Sequence, residues 1–249
     1  MAGLMVIFLF IAISYMIKVQ KQFEAFVYLK KEYLEAQEAI YKELQGEFEE
    51  DLAEWDAEID RKTLAVIFHE PNTLFVRGKA DLLPRYKEIL KDFFPRYIKA
   101  IMRTKQKKYI SKVRIEGHAS PGWKKNTPPK TAFINNMALS QLRSSSVLRF
   151  VLEEINVGAD FNWVKQHLIS VGYSSTEPVI NTLSQTVDNE LSRRVEFRIV
   201  MNAQELLFEI ISGEMPDDYQ NIKISPKEKE EMLHLLEKKT DFELKLRKN

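Results

Sequence analysis

The chain contains no cysteine. That excludes disulfides, thiolate nucleophiles and cysteine-ligated zinc, and it places the protein in no compartment by itself. Charge of one sign is not in excess: the net charge is +1, so no global field points to nucleic acid as a partner. No phosphate-binding loop and no internal repeat occur. The four histidines, His69, His118, His167 and His234, lack metal-ligand spacing. Ser144-Ser145-Ser146 falls on a predicted helix and lacks a nucleophile elbow. No enzyme, cofactor or metal is expected. Charge is also missing from the first stretch, Met1 to Ile17, MAGLMVIFLFIAISYMI.

That run sits at the lower length limit for a membrane-spanning helix, and we expect a transmembrane helix over residues 1–17. Two alternatives stay open. A signal peptide would want a basic n-region and a small-x-small cleavage site, yet no basic residue precedes Lys18. The other is a buried helix of a soluble protein. Lys18, Lys21, Lys30 and Lys31 follow the run, and positive residues usually stay in the cytoplasm; taken alone, they would put the bulk of the chain there. A natural start upstream of Met1 would remove both this conflict and the shortness of the span.

With 249 residues, 45% hydrophobic and 29% charged, an ordered chain of one large domain plus extensions fits. From Val19 to Ile59 there is no proline and one glycine, and apolar residues recur at Ile40, Leu44, Phe48, Leu52, Trp55 and Ile59. This predicts a long juxtamembrane, coiled-coil-like helix within 18–62, whose stripe pairs with a second copy or packs back on the domain. A globular domain follows over 63–202. Its predicted elements are strands at Leu64 to Phe68 and Thr73 to Val76, a helix at Leu83 to Arg103, a strand at Lys112 to Gly117, a helix at Asn136 to Ile155, and strands at His167 to Tyr173 and Arg194 to Val200. Val195, Phe197 and Ile199 alternate with Arg194, Glu196 and Arg198, which predicts one wet sheet face and helices on the other. The class is α+β, in the order βαβαββ. Residues 203–249 form a helical tail by the same reading; Ser225-Pro226-Lys227-Glu228 is a helix start.

At about 100° per residue, Arg143 falls on the same helix side as Leu139, Val147, Phe150 and Val151. A guanidinium there needs a partner. One reading pairs it with an internal carboxylate such as Glu116 or Glu196. The other holds it at a cleft mouth for an external carboxylate, which suits its planar fork.

Several ordered motifs resemble the OmpA/MotB-type peptidoglycan-binding domain. Leu74-Phe75-Val76-Arg77-Gly78-Lys79-Ala80-Asp81-Leu82-Leu83-Pro84 is similar to that family's LFxxGxAxLxP. Ile115-Glu116-Gly117-His118-Ala119-Ser120 is similar to IxGHTD. Asn136-Met137-Ala138-Leu139-Ser140-Gln141-Leu142-Arg143 is similar to NxxLSxxRA up to its last residue, here Ser144. Gly172 to Val179 resembles GxGxxxPV, and Asn189 with Arg193-Arg194-Val195-Glu196 resembles NRRVE with an insertion. The resemblance covers Thr63 to Val200. It implies binding of the diaminopimelate of the cell-wall peptide, with Arg143 on a carboxylate and position 120 on the amine. That position is Ser120 rather than Asp, so it brings no charge. The resemblance places Ser120, Asn136, Ser140, Arg143, His118 and Arg194 at the wall ligand. The loop Pro121 to Asn135 looks long; its Trp123 either contacts glycan or is a solvated loop residue. Gly117-His118 is expected to let the backbone approach the ligand, and His118 to be a hydrogen-bonded structural group.

Met1 to Phe8 also resembles the stretch just after the ion-carrying Asp of MotB-like stator subunits, DxMxxLMxxFxxxF. That Asp is absent from this chain, and an upstream Asp is what ion conduction would require. The long helix, loop insertion and tail are closer to ZorB-like subunits of Zorya anti-phage motors than to flagellar MotB. The resemblance implies a single-pass inner-membrane protein with a periplasmic domain, paired as a homodimer and partnered by peptidoglycan and a MotA-like subunit, in a pentamer around the pair. The alternatives are a passive envelope anchor or a protein-binding OmpA-like module without ion conduction.

Overall fold

The computed structural model describes residues 2–69, 74–76 and 78–202. The predicted tail, 203–249, lies outside them. The described residues fall into two units, divided after Glu35, and each is taken by itself.

The first unit holds most of helix α1, Ala2–Phe48. Its apolar window has a mean hydropathy of 2.0 and none of it is buried. Met5 is 74% exposed and Phe10 66%. α1 is one helix long and apolar enough to cross a membrane.

The second unit begins with the last turns of α1. The expected helix to Ile59 ends instead at Phe48. Glu49, Glu50 and Asp51 follow at once, and acidic groups at a helix C-terminus oppose its dipole. The amides of Asp51 and Leu52 turn back onto the Phe48 carbonyl, at 2.9 and 3.1 Å. Trp55 and Ile59, assigned to the helical stripe, lie on that turn and on strand β1, Ala57–Asp60. The stripe Ile40, Leu44 and Phe48 is buried in the domain's own core. Of the two fates left open for it, this part takes the second, and it is not available to a second copy.

The core assembles around aromatic rings. Phe93 of helix α2, Pro84–Arg103, lies 5.1 Å from Phe48, 5.0 Å from Phe68 and 5.0 Å from Phe197. The apolar residues that periodicity assigns to α2, Tyr86 through Ile101, are all buried. Each such side chain removed from water contributes about 1.5–3 kcal/mol. Arg96 of α2 fastens the end of α1, donating to Glu47 at 2.9 Å and Asp51 at 2.8 Å while lying over Phe48. Arg103 pairs with Glu43 at 2.9 Å and with Glu47. Burial would raise the Glu47 carboxyl, but Arg96 and Arg103 outweigh it and hold Glu47 below the ordinary range.

The sheet has five strands in the order β1-β2-β7-β3-β4, with β2 Ala65–His69, β3 Ile110–His118, β4 Leu168–Ser174 and β7 Arg194–Met201. Only β3 and β4 run parallel, so the sheet is mixed and the expected α+β class holds. A small hairpin, β5 Val179–Ile180 with β6 Val187–Asp188, lies between β4 and β7. The predicted strand at Thr73 to Val76 is instead an isolated bridge, Phe75 to Leu82. Helix α3 spans Pro129–Glu153 and starts earlier than Asn136, because Pro129 at its first turn is pre-set for helix. The predicted long loop is correspondingly shorter. Helix α4, Phe161–His167, leads into β4.

The alternation in β7 is real, but its polar face is not wet. Arg194 is 8% exposed and Glu196 2%. Register sets Arg114 opposite Arg198, Glu116 opposite Glu196 and His118 opposite Arg194. Directly opposed like charges destabilise a sheet; one diagonal pair and two pairs along β7 correct this. Arg198 reaches Glu116 at 3.1 Å and Glu196 at 2.7 Å, and Arg194 reaches Glu196 at 2.7 Å. A charged layer therefore fills the face that α2 and α3 leave uncovered.

Candidate functional site

Two glycines set how closely α3 lies on the sheet. A Cβ at Gly117 would stand 2.4 Å from the Ser140 carbonyl oxygen, and one at Gly172 would stand 2.5 Å from the Gln141 nitrogen. Gly117 thus admits the α3 backbone rather than a ligand, which corrects the expectation from sequence. The helix is then pinned. The Ser140 hydroxyl accepts from the Ser174 amide at 2.9 Å and donates to the Met137 carbonyl at 3.0 Å. The Ser174 hydroxyl donates to the Phe133 carbonyl at 2.9 Å. The Gly172 amide donates to the Gln141 side chain at 2.8 Å.

One face of α3 carries Asn136, Ser140 and Arg143 at i, i+4 and i+7, all buried. Farther along, the same face turns apolar with Val147 and Val151. The polar half collects the other motifs. Asn136 donates its amide to the carbonyls of Ser120 at 2.9 Å and Gly122 at 3.1 Å. That ties the segment after β3 to the helix and carries Trp123, 38% exposed, beside it. The Arg143 Nε donates to the Lys79 carbonyl at 3.0 Å, and its guanidinium lies 4.7 Å from the Phe75 ring centre. Lys79 is presented by a tight turn in which its amide bonds the Val76 carbonyl and Gly78 takes φ +70. Glycine is required there because the left-handed region penalises a side chain. Phe75 and the Lys79 carbonyl were not foreseen as contacts of Arg143. The glycine inside the first motif is the signal that could have found them.

Arg143 is 5% exposed and lies on the buried side of its helix, as its helical angle predicts. The proposed internal partners Glu116 and Glu196 do not face it. Gly117 points at α3, so its neighbour Glu116 and the in-register Glu196 point away.

His118 and Arg194 were grouped with Arg143 by the motifs; the structure places them on the opposite sheet face. His118 is buried with no hydrogen bond on either ring nitrogen, contrary to the expected hydrogen-bonded role. Its Nε2 stands 3.5 Å from both Glu116 and Glu196, and its ring stacks on Tyr173 at 4.9 Å. Arg194 donates to Glu196 and to the carbonyl of Glu177, holding the segment after β4 onto the sheet. Burial would raise the Glu196 carboxyl; His118, Arg194 and Arg198 outweigh it and lower it. Glu116, His118 and Glu196 bring ligand atoms within 4.8 Å of one another, a grouping that histidine spacing did not reveal. Arg114, Arg194 and Arg198 stand within 4 Å of the same carboxylates, so their charge is already compensated.

Three motifs distant in sequence therefore meet along one stripe of α3. No family model matches the chain. Over 211 residues it is 44% identical to the Zorya protein ZorB of Escherichia coli, an alignment that spans 85% of this chain and 88% of that one. The chain belongs to the ZorB family. Among solved structures, a MotB-like protein from Desulfovibrio vulgaris is similar at 21% identity and a TM-score of 0.48, over 70% of this chain and 96% of that one. The periplasmic domain of Helicobacter pylori MotB is similar at 20% identity and a TM-score of 0.42, over 67% and 92%.

Proposed function

We propose that this chain is the peptidoglycan-anchoring B-type subunit of an ion-driven membrane motor used in anti-phage defence. In this reading α1 crosses the inner membrane once and the sheet domain lies in the periplasm. Two copies pair, and a MotA-like subunit surrounds them as a pentamer. Membership of the ZorB family supports the motor assignment, and the exposed apolar window of α1 supports the anchor. The proposed wall residues are Arg143, Asn136, Ser140 and Ser120, with Trp123 at the loop.

The observation that carries the wall-binding reading is the fixed Arg143. Its side chain is held by a backbone carbonyl and an aromatic face at the meeting point of three motifs. A guanidinium oriented in advance by its surroundings grips a carboxylate without first having to order itself. Ser140 and Asn136 act as positioning residues, since their polar atoms are engaged with the protein's own backbone. His118 and Arg194 support the sheet from its other face and join the site only through β3 and β7.

Cosedimentation of the full chain in mild detergent with purified sacculi tests this. Arg143→Ala and Arg143→Lys are expected to stay in the supernatant, with Arg143→Lys still unfolding in one cooperative transition. Sedimentation of both variants as complete as the parent's would refute the wall role. A second reading, a protein-binding module that kept the fold and lost the wall ligand, is favoured by the uncharged Ser120. Absence of cosedimentation by the parent itself would select it.

A further inference from the structure

The outer side of α3 is unusual for a solvent face. Between Lys130 and Arg149 the helix has a single charged residue, Arg143, and that side chain is turned inward and 5% exposed. Four turns of exposed surface are therefore uncharged in a chain of which 29% is charged. Ile134 is 56% exposed, Leu142 59% and Phe133 41%. Ala138, also exposed, sits midway between Ile134 and Leu142. At about 100° per residue, Ala138 lies diametrically opposite the buried stripe of Asn136, Ser140 and Val147. Charge depletion with exposed large apolar groups marks an interface.

From this face we infer that α3 is where two copies of the chain pack together, crossing on a two-fold axis at Ala138. The inference rests on the homodimer reading above and names its contact face. The pattern is self-complementary: an antiparallel partner sets Leu142 of one copy against Ile134 of the other. The small Ala138 at the centre lets the helices approach to about 8 Å, and the i, i+4, i+8 spacing provides the ridge that interdigitates. An uncharged face meets its like without repulsion. A second copy tethered in the same membrane is present at an effective concentration in the millimolar range, and for it a weak contact suffices. The geometry has a consequence for the wall site. The stripe of Asn136, Ser140 and Arg143 is on the far side of α3 from the axis, so a pair holds its two ligands on opposite flanks.

The cysteine-free sequence allows a test without background. Ala138→Cys is introduced into the full chain, oxidised mildly in native membranes and run without reductant. A disulfide needs Cα atoms within about 7 Å, so most of the protein is expected at twice the chain mass. Lys165→Cys, on the exposed side of α4, is expected to stay single. Adding Ile134→Glu and Leu142→Glu to Ala138→Cys is expected to abolish the double-mass band and leave the melting temperature unchanged. The mass of the detergent-solubilised parent separates the two levels of the reading. A two-copy parent whose Ala138→Cys form stays single, or crosslinks undiminished with both glutamates present, overturns the face. A one-copy parent overturns the homodimer itself.

Discussion

The two faces of the sheet differ in what makes them dry. The face under α2 and α3 is filled by Phe68, Val113, Ile115, Val195 and Phe197, all buried. The other carries Glu116, His118, Arg194 and Glu196, also buried and held by ion pairs along and between the strands. Apolar packing is forgiving in orientation but loses contacts and opens a cavity when truncated. The ionic layer tolerates no missing partner, because each deletion strands a desolvated charge.

The comparison can be broken from either side. Phe197→Ala, at the centre of the ring cluster, is expected to cost about 3–5 kcal/mol, measured by chemical denaturation. Glu196→Ala is expected to cost about 3 kcal/mol, since it removes the carboxylate that Arg194 and Arg198 both reach. If the polar face were wet, that loss would stay within about 0.5 kcal/mol. A smaller effect separates the faces by pH. The Glu196 carboxyl is held low in the folded state, so its contribution is complete above the ordinary glutamate range, near 4.3. It is lost as pH falls through its own depressed value. Melting temperature between pH 5 and 3 should therefore fall less steeply in Glu196→Gln than in the parent. The smallest effect is the reference: Arg85→Ala removes an exposed pair with Glu54 and is expected to change stability by no more than about 0.5 kcal/mol.

What could be read in advance follows the same division. The apolar face was legible because period 3.6 in α2 and period 2 in β7 mark the residues that leave water. Arg143 could be placed on the buried side of α3 by angle alone. The dryness of the polar face could not be read, since alternation separates two faces without saying what covers the second. The end of α1 is not marked by its stripe, whose spacing continues through Trp55; the acidic run after Phe48 and the turn there decide it. His118 and Arg194 were drawn into the site by neighbouring letters, but adjacent strand residues point to opposite faces. The early start of α3 was signalled by Pro129 and obscured by the proline-rich approach to it.

The central claim is that Arg143 holds a carboxylate of the wall peptide. Calorimetric titration of the detergent-solubilised chain with a diaminopimelate-containing wall peptide tests it most directly, comparing parent and Arg143→Lys. Affinity is expected to fall at least tenfold in the variant, about 1.4 kcal/mol, with the variant still unfolding in one cooperative transition. Equal affinities would contradict it.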